Sequence, residues 1–342
     1  MDLGCWPDIW GGVRRSEYLM GSLIIGPWGP GKRQVSRREM ASPIDWNILA
    51  GASAGASEGY VPGETIKDSP DSPELVVIPS GIFMMGSGAY EQELAVAWGA
   101  NHSLTSSETP RHRVSVCSFA AARSTVTRGE FAAFVEATGY LTEAEWRFQH
   151  FPEGNPDNYN WYDPGFAQDD THPVTYVSWI DVQAYIKWVS QKSGNQYRLL
   201  TEAEWEYAAR GGNETAFWWG NIISTADANY DGDFSYPGSP IGQTLKATVP
   251  VFCFNPNPYG LYNVHGNVWE FVEDSWAYNY VHASPYGSAR PRHEGDGFVL
   301  RGGSWRSRPA EVRSASRFNF GGLPGCSAFQ NDVGFRLARN LF

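Results

Sequence analysis

The sequence predicts an α+β domain with short strands, few helices and much irregular coil. Three segments carry helix start signals, and three short segments have the apolar runs or the alternation typical of strands. After about residue 212 there is little helical periodicity, because Gly, Asn, Asp and Pro recur every few residues. Aromatic residues make up 15% of the chain, and such large side chains suit a loop-rich fold that is held together by packing.

Each predicted helix begins with a Ser or Thr that stands three residues before an acidic residue. In such a capping box the two side chains bind backbone amides that have no partner inside the helix. A glycine after each segment favours a helix end there. The pairs are Thr127 with Glu130, Ser178 with Asp181 and Thr201 with Glu204, and the glycines are Gly139, Gly194 and Gly211. The string Thr-Glu-Ala-Glu-Trp occurs at 142–146 and 201–205, but it is too short to indicate a duplicated domain.

Three segments near the start of the domain are predicted to be strands. Val76–Ile78 is a continuous apolar run, and Gly81–Gly86 follows it after a turn. Arg113–Phe119 alternates between polar and apolar residues, which predicts one strand with a single buried face.

Residues 1–74 are predicted to be a flexible or poorly ordered N-terminal segment, and residues 75–342 to form the folded domain. The first segment contains Gly-Pro-Trp-Gly-Pro-Gly (26–31) and Gly-Ala-Ser-Ala-Gly-Ala-Ser (51–57). Sequence of this kind does not bury enough apolar surface to become ordered. Whether Met1 or Met40 is the true start stays open.

Composition excludes several classes of partner. The net charge is −11 and no face is evidently basic, so a nucleic acid is not expected to bind. No apolar run reaches the length of a membrane span, and no secretory signal is visible. Localisation stays open, with the cytoplasm as the default expectation.

The four cysteines, Cys5, Cys117, Cys253 and Cys326, lack C-x-x-C and Cys/His metal spacings.

Four motifs follow one another in the second half of the chain: Gly260–Phe271, Val299–Trp305, Arg313–Arg317 and Val333–Arg339. Their residues and their order resemble the formylglycine-generating enzyme (sulfatase-modifying factor) family. Further blocks of the resemblance extend from about Leu75 to Ala338. The resemblance implies one domain with a variant of the C-type lectin fold, built from short twisted strands, few helices and much coil.

The resemblance also implies calcium on the segment 263–270. Carried over from the family, the ligands are the Asn263 side chain, the carbonyls of Gly266 and Val268, and the Glu270 carboxylate. Calcium binds six to eight oxygens, which such a loop can supply without excess charge. A second family site would begin at Asn229. The alternative is that Asn263 and Glu270 only stabilise turns.

Copper is not expected. Active members of the family oxidise a cysteine with copper that two cysteines hold just after the Gly-Gly-Ser-aromatic turn, and those two positions are Ser307 and Val312 here. Cu(I) prefers soft thiolate ligands, which neither side chain provides. Iron is not expected either. The iron-dependent relatives use three histidines, partly from an added helical domain that this sequence lacks, and the seven histidines here show no i, i+4 pair.

A ligand-binding module is therefore the preferred hypothesis, with a protein or a small molecule bound at the C-terminal loops. Arginine and aromatic residues mixed with glycine favour recognition. The proposed contacts are Trp305, Arg306, Ser307, Arg308, Glu311, Ser316, Phe318, Phe320, Phe329, Gln330 and Asn331. The pattern from Gly-Gly-Ser-Trp to Gly-Phe-Arg-Leu-Ala-Arg also resembles the variable proteins of diversity-generating retroelements, which place hypervariable residues in these loops.

Two alternatives and one open question remain. The protein could be an oxidoreductase of the same family that acts on a peptide cysteine or on a small molecule. Some of the arginines, namely Arg313, Arg317 and Arg336, could serve the fold by pairing with carboxylates such as Glu270, Glu273 or Asp274. The oligomeric state stays open.

Overall fold

The computed structural model describes residues 59–151, 159–293, 295–321 and 329–341. All of them belong to one compact unit, residues 45–342. Most of the predicted N-terminal segment, residues 1–58, lies outside the described residues, as does Cys326 in the segment 322–328. The folded domain begins before residue 75, the predicted start, because residues 59–74 already belong to the fold. Thr65–Ile66 pairs with Leu75–Val76, and Asp68 binds Tyr197 and Arg339.

Six α-helices lie in the described residues: α1 Ala89–Ala97, α2 His102–Ser106, α3 Arg128–Thr138, α4 Glu143–His150, α5 Trp179–Ser193 and α6 Glu202–Arg210. The three predicted helices, α3, α5 and α6, each begin with the expected capping box and end at a glycine in the left-handed conformation. The sequence did not predict α1, α2 and α4. In the described part of the chain no helix is apolar and long enough to span a membrane.

The strands form three sheets. They are β1 Thr65–Ile66, β2 Leu75–Ile78, β3 Gly81–Met85, β4 His112–Val116, β5 Phe119–Ala122, β6 Tyr197–Leu199, β7 Trp269–Ser275, β8 Phe298–Arg301, β9 Arg317–Phe320, β10 Val333–Phe335 and β11 Leu337–Asn340. The sheet orders are β1-β2-β5-β11-β6, β10-β7-β8-β9 and β3-β4. All pairs are antiparallel except β7 with β10.

The segment Arg113–Phe119 was predicted to be one strand, and this prediction is wrong. The chain leaves one sheet at Val116 and enters another at Phe119, so that β4 pairs with β3 whereas β5 pairs with β2 and β11. The prediction of irregular coil after residue 212 is confirmed. Among the described residues no α-helix follows Arg210, and the only regular elements there are short strands and a 3-10 turn at Pro309–Glu311.

The core places the C-terminal strands against the predicted helices. Aromatic residues of α3 and α5 pack with one another, as in the Phe131–Tyr185 stack at 5.8 Å, and Tyr185 meets Phe335 of β10 at 5.5 Å. Phe271 of β7 and Leu300 of β8 belong to the same buried cluster. These contacts hold the four-stranded sheet, whose strands lead into the C-terminal loops.

Candidate functional site

The turn that follows β8 fixes the entrance to the C-terminal loops. Gly303 has a φ of +75°, and a Cβ there would collide with Val312, so glycine is required for the close approach of the two loop segments. After this turn the Trp305 amide donates to the Asn267 carbonyl at 2.9 Å. The loop is thereby anchored to the segment that enters β7.

Ser307 and Val312 occupy the positions where the resemblance implies copper-binding cysteines. Ser307 is buried, its Oγ accepts from the Ser304 amide at 3.1 Å, and its carbonyl accepts from the Asp231 amide at 2.9 Å. Val312 is fully buried, and its carbonyl binds His265 Nδ1 at 2.8 Å. Both positions are filled by side chains that pack or form hydrogen bonds, and neither supplies a thiolate.

The cysteines of the described residues lie elsewhere. Cys117 and Cys253 are free and exposed. Across the described ranges, no group of three His, Cys, Asp or Glu side chains is arranged to hold a metal ion.

Asp332 is a site residue that sequence reasoning missed. Its side chain is buried, with 4% of the residue exposed. Oδ2 accepts from Ser304 Oγ at 2.8 Å, whereas Oδ1 is buried without a hydrogen-bond partner. Burial raises the pKa of Asp332, and the Arg306 charge and the Ser304 hydroxyl offset this only in part.

Residues before α5 form a second wall of the site that the sequence did not reveal. Phe166 contacts Trp305 edge to face at 5.7 Å, and Asn331 Nδ2 donates to the Pro164 carbonyl at 3.4 Å. Trp305 Nε1 in turn donates to the Asn331 carbonyl at 3.4 Å. Trp305 and Asn331, both predicted contacts, are thus brought together and remain partly exposed.

Three other predicted contacts, Arg306, Arg308 and Gln330, are at least partly exposed. Arg306 is the most exposed, with 56% of its side chain accessible. Arg308 lies over the Phe234 ring at 4.4 Å, and its amide donates to Glu311 at 2.9 Å. Gln330 is partly exposed, and its carbonyl accepts from the Tyr176 amide.

Four predicted contacts are too buried to face a ligand in this structure. Phe320 is a core residue beside Phe271, at 5.8 Å. Ser307, Ser316 and Phe329 are also buried, and the Phe329 ring lies 6.0 Å from the Tyr176 ring. Phe318 is partly buried and packs on Trp269 of β7 at 5.5 Å. Because β9 belongs to the sheet, its aromatic side chains serve packing.

Arg313, Arg317 and Arg336 are buried and pair with carboxylates, as the alternative interpretation expected, but only Arg336 pairs with a carboxylate named there. Arg336 forms two bonds to Glu270, at 2.7 and 2.9 Å. The partners of the other two are distant in sequence: Glu108 for Arg313, at 2.7 Å, and Glu202 for Arg317, at 2.8 Å. Glu273 and Asp274, the nearby carboxylates, are not among these ion-pair partners.

The residues implied to bind calcium at the two sites include two unpaired amide oxygens and one ion-paired carboxylate. Asn263 and Asn229 each have a buried Oδ1 without a partner, whereas Asn263 Nδ2 donates to the Val251 carbonyl at 3.1 Å. Glu270 already accepts from Arg336 and from Trp205 Nε1 at 2.8 Å. The amide oxygens therefore fit a hard cation, and Glu270 would have to share its charge with Arg336.

The fold and the loops together define a lectin-like α+β domain that presents an aromatic and charged surface beside a buried carboxylate. The family model described as "Sulfatase-modifying factor enzyme 1-like domain" matches residues 62–341, and the chain belongs to this family.

Relatives of known sequence and structure agree with this assignment. The formylglycine-generating enzyme of Bos taurus is 32% identical, covering 96% of this chain and 89% of the bovine protein. That of Streptomyces coelicolor is 34% identical, covering 78% and 88%. The structure of PvdO from Pseudomonas aeruginosa is 31% identical with a TM-score of 0.66, over 82% of this chain and all of that one. Treponema denticola variable protein 1 shares the fold at 21% identity and a TM-score of 0.55, over 81% and 98%.

Proposed function

We propose that this chain is a non-copper member of its family that binds a protein or a small-molecule ligand through its C-terminal loops. The observation that carries the proposal is the identity and burial of Ser307 and Val312 at the positions of the family's copper-binding cysteines. A serine hydroxyl stays protonated and a valine has no donor atom, so Cu(I) would lack both soft ligands.

The surface around Trp305 supports a binding role. Trp305, Arg306 and Asn331 are accessible. The Phe166 ring packs against the Trp305 ring, and the Trp305 amide donates to the Asn267 carbonyl. Aromatic and arginine side chains on a rigid frame contribute strongly to binding because little conformational freedom is lost when a ligand arrives.

The proposal extends to sequence diversification of these loops by a retroelement. Its support is the resemblance of the C-terminal pattern to the variable proteins of such elements. Sequencing the gene region tests it. A neighbouring near-copy of codons 306–332 that differs mainly at adenines is expected, and an intact locus without such a copy would contradict this part of the proposal.

Calcium belongs to the proposal as a structural ion. Asn263, the carbonyls of Gly266 and Val268, and Glu270 would hold it, with Asn229 beginning a second site. The unpartnered Asn263 and Asn229 oxygens support it. A bound calcium would link the entrance of β7 to the segment around residue 229.

The alternative is an oxidoreductase, which the 32% identity to a formylglycine-generating enzyme favours. The deciding experiment incubates the protein with a cysteine peptide, copper and oxygen and analyses the peptide by mass spectrometry. We expect the cysteine to remain unmodified. Aldehyde formation by the wild-type protein would overturn the binding proposal.

A matched pair of variants shows whether the two positions explain the result. The double variant Ser307→Cys/Val312→Cys restores both thiols, and we expect it to gain stoichiometric Cu(I) binding. The single variant Ser307→Cys provides one thiol and should bind copper much more weakly. Equal copper binding by the wild-type protein and the double variant would show that the loss of the cysteines is irrelevant.

A further inference from the structure

Asp332 is an unusual group because a buried carboxylate oxygen has no partner. Asp332 Oδ1 forms no hydrogen bond with the described residues, and only 4% of the Asp332 residue is exposed to solvent. Leaving such an acceptor unsatisfied is costly, and for a charged group the penalty is larger than for a neutral one. In native proteins such a group is accounted for by strain, by a catalytic role, or by a bound water or ion.

The cation nearest to this carboxylate is only loosely held. Arg306 Nε lies 4.0 Å from Asp332 Oδ2, at the limit of an ion pair, and 56% of the Arg306 side chain is exposed. Exposed pairs of this kind contribute little to stability. The Arg306 guanidinium also lies 5.7 Å from the centre of the Trp305 ring. Arg306 therefore covers an aromatic face and a carboxylate without saturating either.

We infer that Asp332 and Trp305 form a subsite for an organic cation of the ligand, a guanidinium or ammonium group, which takes the place of Arg306. This inference rests on the proposed binding function and names the ligand chemistry of the same site. Arg306 acts as a resident cation that the ligand exchanges.

The surroundings favour a cation over an anion or a neutral group. Ser304 Oγ donates to Asp332 Oδ2, the same oxygen that faces Arg306 Nε at 4.0 Å. A ligand cation that replaces Arg306 would approach the carboxylate from this side. Phe166 stands edge-on against Trp305 and fixes the ring, and cations bind the faces of such rings. A guanidinium is planar and weakly hydrated, so we expect it to bind more tightly than an ammonium group.

The experiment uses three probes of equal length: N-acetyl-arginine amide, N-acetyl-lysine amide and the neutral N-acetyl-citrulline amide. Binding is followed by NMR through the Trp305 indole N–H, which a Trp305→Phe variant assigns. We expect the arginine probe to bind about tenfold more tightly than citrulline, since hydrogen bonds to charged groups are the stronger ones. The lysine probe distinguishes guanidinium from ammonium selectivity.

Two variants separate the roles of the residues. Asp332→Asn should weaken arginine binding about tenfold, because it keeps the shape but removes the charge. Arg306→Ala should strengthen it several-fold, because the resident competitor is gone. Glu136→Gln, which removes an exposed carboxylate of α3, is the matched control and should change nothing.

Three results would overturn the inference: equal binding of citrulline and arginine, weaker arginine binding by Arg306→Ala, or no binding of either cation to the wild-type protein and to Arg306→Ala. If Asp332→Asn fails to fold, the citrulline comparison and Arg306→Ala still decide. Failure here contradicts only the cationic subsite, whereas the proposed function is contradicted by a different result, aldehyde formation in the cysteine-peptide assay.

Discussion

At the scale of single residues, the calcium proposal rests on the unpartnered amide oxygens of Asn263 and Asn229. Asn263 adopts a left-handed backbone with a φ of +52°, and its Oδ1 is buried without a partner. Asparagine adopts this conformation more readily than most residues other than glycine. A calcium ion bound to Oδ1 would account for the missing hydrogen bond.

The prediction is that purified protein contains calcium, and that a chelator lowers its melting temperature. Ligand binding stabilises the folded state alone, so loss of the ion must lower stability. Asn263→Ala should lose the calcium detected by elemental analysis and melt at the same temperature with or without chelator. Asn213→Ala, at an exposed asparagine, should behave like the wild type. Metal-free protein that melts normally in chelator would contradict the site.

The sequence revealed some site residues and hid others. Ser307 and Val312 could be found because they lie at fixed distances from a recognisable Gly-Gly-Ser-Trp motif. Asp332 and Phe166 could not, because their importance comes from burial and from contacts with residues 28 and 139 positions away, Ser304 and Trp305. Phe320 was misjudged because a strand residue and a loop residue look alike where no periodicity distinguishes them.

At the scale of elements, capping boxes made three helices predictable, and a fourth was overlooked. Thr142 begins α4 with the same Thr-Glu-Ala-Glu-Trp string that begins α6 at Thr201. The repeated string indicates two helix starts, although it does not indicate a duplicated domain. Helix α4 bears on the site, because Arg147 lies over the Phe329 ring at 5.6 Å.

A substitution in the capping box of α4 tests whether this motif stabilises the helix. Thr142→Ala removes the side chain that accepts from the Glu145 amide, and we expect the free energy of unfolding to fall by about 1 kcal/mol. Ser106→Ala is the control, because its exposed hydroxyl only returns a bond to Ser103 in its own helix. Its effect should stay within about 0.5 kcal/mol. Chemical denaturation measures both variants, and equal stability would contradict the assignment.

At the scale of the whole molecule, buried ion pairs join the helices to the C-terminal strands. Glu206 of α6 binds Arg210 and Arg301, and Glu202 binds Arg317. These partners are up to 115 residues apart, so no local pattern in the sequence could have paired them. The network stabilises the contact of α6 with β8 and β9, on which the position of the C-terminal loops depends.

Asp274 lies beside this network and should make stability depend on pH. Burial, together with the neighbouring Glu202 charge, raises the pKa of Asp274 to about 7, compared with about 4 in an unfolded chain. The folded state therefore binds more protons than the unfolded state between these values, and the free energy of unfolding must fall as pH rises through this window. The fall between pH 6 and pH 8 from this one group is about 1 kcal/mol.

Chemical denaturation at pH 6, 7 and 8 measures the effect. Asp274→Asn removes the titration, so this variant should lose less stability between pH 6 and pH 8 than the wild type. Its stability at pH 6 should be lower, since an amide oxygen replaces only one of the acceptors for the Glu202 and Arg290 amides. Glu136→Gln should keep the wild-type slope. If wild type and Asp274→Asn lose stability equally over this range, Asp274 is not the group that titrates, and α6 is capped by a carboxylate that stays charged.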